Sequence, residues 1–276
     1  TQPINDVFII SDELVNSFFP CYRRGVAQKN KLTSTSLLAE PSPSSRPEPR
    51  GARRRRRTRT RLLRAAFRLM AERGVEAVAI NEITEAADLG FGTFYNYFDS
   101  KEAIHEALVD ELFESFGAAL DQIAEQVDDP AEVIAASVRY TLRRASEEPL
   151  WGRFLVRVGY WSPVLDRGLA PRVIRDLQTG VASGRFQAHD FPMTIIAVRG
   201  VVLSAVDAST ASPQKGTGDR GFAEIVGAER KSIPERTAAV LLRLLGLDPQ
   251  EAEQVVSRPL PSIALPPNPL EPPSSI

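Results

Sequence analysis

The residues of this chain best equipped for chemistry lie between Arg50 and Lys101, and they suit recognition of a polyanion rather than bond making. Arg50 to Arg64 holds nine arginines and no acidic residue, and guanidinium forks pair well with phosphate oxygens. Downstream, Thr93, Tyr95, Asn96 and Tyr97 gather a hydroxyl, two phenols and an amide, and Lys101 adds an ammonium. Hydroxyls and ammonium groups suit phosphates, whereas the amides of Asn96 and Asn81 can pair with adenine or reach the backbone. Enzyme chemistry finds little support. Two histidines and one cysteine, Cys21, cannot assemble a soft or imidazole metal site. Gly90-x-Gly92 has no strand–helix setting for a phosphate loop. No nucleophilic set or acid/base pair stands out among the carboxylates. The expectation is a chain without catalytic residues, metal or cofactor.

Recognition needs a frame. The segment from Ile80 to Lys101 reads as two short helices joined by a tight turn. Ile83, Ala86 and Ala87 recur at helical spacing, Asp88-Leu89-Gly90 breaks the pattern, and Gly92 to about Phe98 forms a second helix. Small residues Ala86, Ala87 and Gly90 permit a steep crossing, so the second helix can enter a major groove. Phe94 and Phe98 are expected in the core that holds it. Upstream, Thr60 to Arg73 places Leu63, Ala66, Phe67 and Met70 on one stripe, ending at Gly74. Arg53, Arg54, Arg55, Arg56 and Arg57 are expected as a flexible arm along phosphates or in the minor groove, with a solvated disordered tract and, last, a nuclear-localisation signal as the alternatives.

Beyond this unit the pattern is helical almost throughout, and no period-2 alternation argues for strands. Ser100, or Asp99 with Glu102, caps a helix to about Glu125. Further helices are expected over Asp129-Pro130 to Glu147, Pro149 to about Tyr160, Pro171 to Ser183, Pro192 to about Ser209 and Ile233 to Leu245. Trp151, Phe154, Tyr160, Trp161 and Phe186 either line a ligand pocket or fill the core. The two late apolar helices are expected at a twofold interface, with Gly200, Leu203, Leu241 and Leu245 contributing. The region 212–227 reads as a glycine-rich loop.

Charge is segregated rather than large. The net value is −1, yet Asp99 to Glu132 carries eleven acidic residues against one lysine. The single cysteine fits a reducing cytoplasm, and no run approaches the ~20 apolar residues of a membrane span. The start at Thr1 suggests a clipped, tagged or mis-called beginning. Residues 1–52 are expected as a disordered extension, and 257–276 as a Pro-rich disordered tail with seven prolines from Pro259 onward.

Residues Thr58 to Leu108 resemble the tetracycline-repressor (TetR) family of bacterial transcriptional regulators. The likeness rests on the basic first helix with its ERG stop, the INEITEAADLG segment, the GTFYNYF string and the SKE that opens the next helix. Ala79 departs from the usual Ser or Thr cap, with Asn81 as an alternative cap; Asp88 stands where glycine is usual, and Phe91 where a small polar or basic residue is usual. The resemblance implies an all-α protein with a helix-turn-helix DNA-binding domain over 56–116 (motif 79–98) and an effector-binding, dimerising domain over 117–250. It implies that Gly90, Phe91, Gly92, Thr93, Tyr95, Asn96, Tyr97 and Lys101 face DNA. The expected activity is that of a cytoplasmic homodimeric repressor released from double-stranded operator DNA by a small-molecule effector. A ligand-independent architectural DNA binder is the alternative, and a cavity-free core over 118–250 would favour it.

Overall fold

In the computed structural model, residues 49–161, 167–210 and 232–271 are described, with the backbone alone at 160 and 161. Among them the regular elements are helical. The N-terminal unit, the head, comprises α1 (Arg50–Arg73), α2 (Ile80–Ala86), the short α3 (Phe91–Phe94) and α4 (Lys101–Val109). A π-turn segment, Asp110–Glu114, joins α4 to α5 (Ser115–Gln126). The body follows with α6 (Pro130–Glu147), α7 (Pro149–Trp161), α8 (Ala170–Ala182), α9 (Phe191–Thr210), α10 (Ile233–Leu244) and α11 (Pro249–Ser257).

Local chemistry sets most helix ends. The Ser100 hydroxyl accepts from the Ala103 N–H at 3.1 Å, which starts α4. Asp129 accepts from Ala131 at 3.0 Å with Pro130 in the first turn of α6, and Asp248 starts α11 the same way. Ala79 cannot accept a cap bond, yet α2 begins directly after it. There the Glu82 carboxylate accepts the Ala79 N–H at 2.8 Å and pairs with Arg73. That pairing, then the backbone bond, holds the Glu82 carboxyl below its ordinary range. Asn81 lies inside the helix and is not its cap.

Four sequence expectations need correction. The arginine arm is not flexible: α1 begins at Arg50, and Arg53–Arg57 are its exposed early turns. The extension expected to run to residue 52 therefore ends earlier; the rest of it lies outside the described residues. The tail is not disordered through its described part. An extra helix, α11, precedes it, and residues 258–271 run extended along α6, with Asn268 and Leu270 buried. Arg139, Tyr140 and Arg144 of α6 donate to the carbonyls of Arg258, Pro261 and Pro266, and Arg64 of α1 donates to Leu270 at 3.0 Å. This row of strap carbonyls finds its donors in three arginines and a tyrosine. Finally, α9 is by length and composition apolar enough to cross a membrane, contrary to the sequence expectation, with 22% of its most apolar stretch buried within the chain.

The core runs continuously from head to body. α1 packs on α7 as well as on α2 and α4, while α6 is the centre of the body, touching α7, α8, α9 and α10. Where head meets body, Phe67 of α1 stands edge-on to Phe154 of α7 at 5.4 Å, and Phe154 stacks on Phe113 of the π segment. Trp151 meets Phe113 and Phe116 edge-on at 5.3 and 5.1 Å.

Candidate nucleic-acid interface and ligand cavity

The reading head presents a small set of exposed side chains on a rigid base. Phe94 and Phe98 are buried, as expected, and fix the recognition unit. The unit is one turn of α-helix followed by hydrogen-bonded turns to Phe98, rather than regular helix throughout. Its outer surface carries Phe91, Gly92, Tyr95 and Asn96, with Phe91 and Tyr95 about half exposed and edge-on at 5.6 Å. Asn81 and Gly90 are exposed nearby, and Thr93 is half-buried. A Cβ at Gly92 would meet nothing within 4 Å, so no packing inside the subunit requires glycine there.

Two expected DNA-facing residues are already engaged internally. Tyr97 is half-buried beneath Arg55, whose guanidinium lies 5.3 Å from the ring centroid and donates to the Asn96 carbonyl at 3.3 Å. The Lys101 ammonium donates to the Glu76 carbonyl at 3.2 Å. The turn depends on Asp88, which takes φ +51° where glycine is the low-cost residue. Arg61 holds it by donating to both its carbonyl and its carboxylate, at 2.9 and 3.0 Å.

Behind the head, a cavity of about 570 Å³ lies among α4, the π segment and α5–α9. Its walls are mainly apolar, including Phe113, Leu155, Val198 and Leu203. Several of its charged groups are ion-paired. Asp121 of α5 accepts from Arg172 at 3.0 Å and forms an ion pair with Arg175 at 2.8 Å; Arg175 also pairs with Asp176, and Arg172 with Glu114 of the π segment. Burial raises the Asp176 carboxyl, against the pull of Arg175. His105 of α4 also lines the cavity, and burial lowers it to about 4, with Glu102 opposing weakly. It is neutral at physiological pH.

Of the aromatics that the sequence left between pocket and core, the three whose side chains are described belong to the core. Trp151 and Phe154 are wholly buried in the head–body core, and Phe186 packs over Gly180; none of the three lines the cavity. The side chains of Tyr160 and Trp161 lie outside the described residues. The Asp121, Arg172, Arg175 and Asp176 group was missed because Asp121 lies on α5, 51 residues before Arg172 on α8. Its one signal in the sequence is the spacing of Arg172, Arg175 and Asp176, which shares one helix face.

The interface residues also need revision. Leu241 and Leu245 are wholly buried within one chain and Leu203 nearly so, so they cannot meet a second copy. The exposed apolar positions are Met193 and Ile196 on α9 and Val240 and Leu244 on α10. Gly200 stays open, since a Cβ there would meet nothing within 4 Å.

The family signature of bacterial regulatory proteins of the tetR family matches residues 62–108, and that of the tetracyclin repressor-like C-terminal domain matches residues 129–258. The crystal structure of RolR in complex with resorcinol is 39% identical, with a TM-score of 0.56, covering 77% of this chain and 100% of that one. The chain belongs to the TetR family of bacterial regulatory proteins. RolR without ligand matches equally well, at 40% identity and TM-score 0.55. An uncharacterized HTH-type transcriptional regulator of Mycobacterium tuberculosis is 36% identical over 89 residues, 32% of this chain and 44% of the relative. The chain thus spans less than half of that relative's length. The transcriptional repressor KstR2 of the same organism is 26% identical over 167 residues, covering 48% of this chain and 82% of its own. Within this TetR family the chain is a DNA-binding transcriptional regulator, built as an all-α helix-turn-helix head on a helical body.

Proposed function

We propose that this regulator is a homodimeric repressor of bacterial cytoplasm, released from a pseudo-palindromic operator by a small hydroxylated aromatic compound. The observation that carries the effector class is the cavity beside α4. It combines apolar walls for a ring with carboxylates and guanidinium groups, which accept from and donate to hydroxyls. Resorcinol bound to RolR supports the same chemistry. The cavity also speaks against the alternative of an architectural binder, which needs no such space.

The coupling runs through charge. Arg172 holds both Glu114 on the π segment and Asp121 on α5, and Arg167 pairs with Glu106 and Asp110 near the end of α4. A ligand hydroxyl taking one of these partners shifts the balance of interactions on the helix that leads into the reading head. Release requires that the ligand favour the non-binding arrangement by a few kcal/mol; equal affinity for both shifts nothing. The dimer reading rests on the apolar face of α9 and α10, which a lone subunit leaves in water. Two copies place two recognition units about 34–36 Å apart, one turn of DNA.

The test is calorimetric titration of the full chain with phenol, catechol and resorcinol, paired with release from an operator selected out of random DNA. Asp121→Ala and Asp176→Asn are expected to abolish the response while DNA binding persists. Undiminished operator release by those variants would remove the charged group from the effector site. No binding of any of the three compounds would overturn the effector class.

A further inference from the structure

The nine arginines between Arg50 and Arg64 do not form one undifferentiated patch on α1. Arg55 and Arg59 face the recognition unit: their guanidinium groups lie 5.3 Å from the Tyr97 ring and 5.6 Å from the Phe98 ring, and Arg59 pairs with Glu111. Arg50, Arg53, Arg54, Arg57 and Arg61 recur at helical spacing, a single stripe on another face. Together with Leu89 of the helix-turn-helix they border a groove of about 480 Å³. Arg61 is taken by Asp88. Among the described residues, no carboxylate makes an ion pair with Arg50, Arg53, Arg54 or Arg57. Like charges at this spacing oppose helix formation, so the stripe stands against local electrostatics unless an anionic surface meets it.

We propose that Arg50, Arg53, Arg54 and Arg57 form a docking surface for the phosphate backbone of DNA, outside the groove segment that Phe91, Tyr95 and Asn96 face. The proposal rests on the DNA-binding reading and extends it. Geometry favours DNA over other polyanions, because Arg55 ties α1 to the Asn96 carbonyl and Leu89 borders the same groove. The stripe is thereby fixed relative to the reading surface. Arg50 to Arg57 spans about 10 Å of helix, and each guanidinium presents a planar fork that matches phosphate oxygens. The stripe supplies affinity and register, and the other face of the same helix braces the residues that discriminate between bases.

The experiment is a salt titration of the full chain on two duplexes, one selected as operator and one random. Arg53→Ala, Arg54→Ala and Arg57→Ala are combined in one variant; alanine favours helix, and circular dichroism checks that α1 survives. The slope of log K against log salt is expected to flatten by roughly 0.9 for each phosphate no longer neutralised, about 2–3 in all. It should do so equally on both duplexes, leaving the operator preference intact. The corresponding triple lysine variant should keep most of the slope, because counterion release follows charge. Arg55→Ala should instead lower the preference for operator. An unchanged slope in the triple alanine variant, or a loss confined to operator, overturns the proposal. Failure of the wild type to bind either duplex would sink the DNA-binding reading itself.

Discussion

Gly92 carries its meaning in what surrounds it, namely open space on the outer side of the recognition unit. Alanine there should raise stability by about 0.5–1 kcal/mol, because glycine within a helix costs that much. The same change should weaken DNA binding if the backbone approaches DNA closely. Urea denaturation and a DNA titration separate the two effects, and a variant improved in both would release Gly92 from the interface. His105 gives a pH prediction. Its folded-state value, lowered by burial to about 4, lies below the ordinary value near 6.5. The unfolded chain therefore binds the proton more readily, and stability present above pH 6.5 is lost as pH falls toward 4. The loss is at most about 3–4 kcal/mol, the equivalent of that displacement. His105→Leu should flatten this part of the pH–stability curve; an equal slope in the variant would exonerate the imidazole. Both residues are visible in the sequence, but their surroundings are not. Residue identity at α3 was legible because a turn and a short helix are local. The cavity carboxylates and arginines were not, because only tertiary packing brings Asp121 to Arg172.

Elements were legible where caps and periodicity agreed. Asp129-Pro130 starts α6 because a carboxylate cap and a proline in the first turn act locally, and α6 ends at Glu147 as expected. The same carboxylate also receives Arg185 at 2.8 and 3.1 Å, a tertiary pairing with no local sign. Burial raises the Asp129 carboxyl, but the Arg185 fork and the Ala131 N–H outweigh it and leave it below the ordinary range. Asp129→Asn should keep much of the cap yet lose the charge pair, whereas Asp129→Ala loses both. Thermal unfolding should rank them wild type, asparagine, alanine, with the alanine variant down by about 1–2 kcal/mol or more. Equal stability of wild type and asparagine variant would reduce Arg185 to a bystander. The two late helices show the opposite limit. Their apolar character was legible, but a helix rotates about 100° per residue, so α10 buries Leu241 and exposes Val240. That rotation sharpens the dimer test. Gly200→Leu fills open space and should leave the subunit folded but dissociated, while Leu241→Asp should unfold the subunit itself. Sedimentation of a folded Gly200→Leu dimer would move the interface away from α9.

The whole molecule is tied together by a segment whose composition suggested disorder. Prolines from Pro259 onward exclude helix, and that much the sequence carried; proline also leaves carbonyls exposed for donors elsewhere. α6 supplies those donors from Arg139, Tyr140 and Arg144, and Asn268 donates to the Glu148 carboxylate at 2.9 Å. The strap ends on α1 of the reading head, where the Arg64 guanidinium meets the Leu270 carbonyl and the Leu270 side chain is 4% exposed. It thus links the body to the element that carries the arginine stripe. Removing residues 260–276 should cost the burial of Leu270, about 1.5–3 kcal/mol by itself, together with the pairing of Arg144 and Glu148 to the strap. For a body of this size each kcal/mol lowers Tm by about 2–4 °C, so a fall of at least several degrees is expected. Leu270→Asp in the full chain should reproduce much of that loss, because a carboxylate cannot replace a buried leucine without a partner. If the truncated chain melts with the wild type, the strap contributes nothing to holding the head. If Leu270→Asp alone is silent, the stabilisation lies in the carbonyl row along α6 rather than in the anchor on α1.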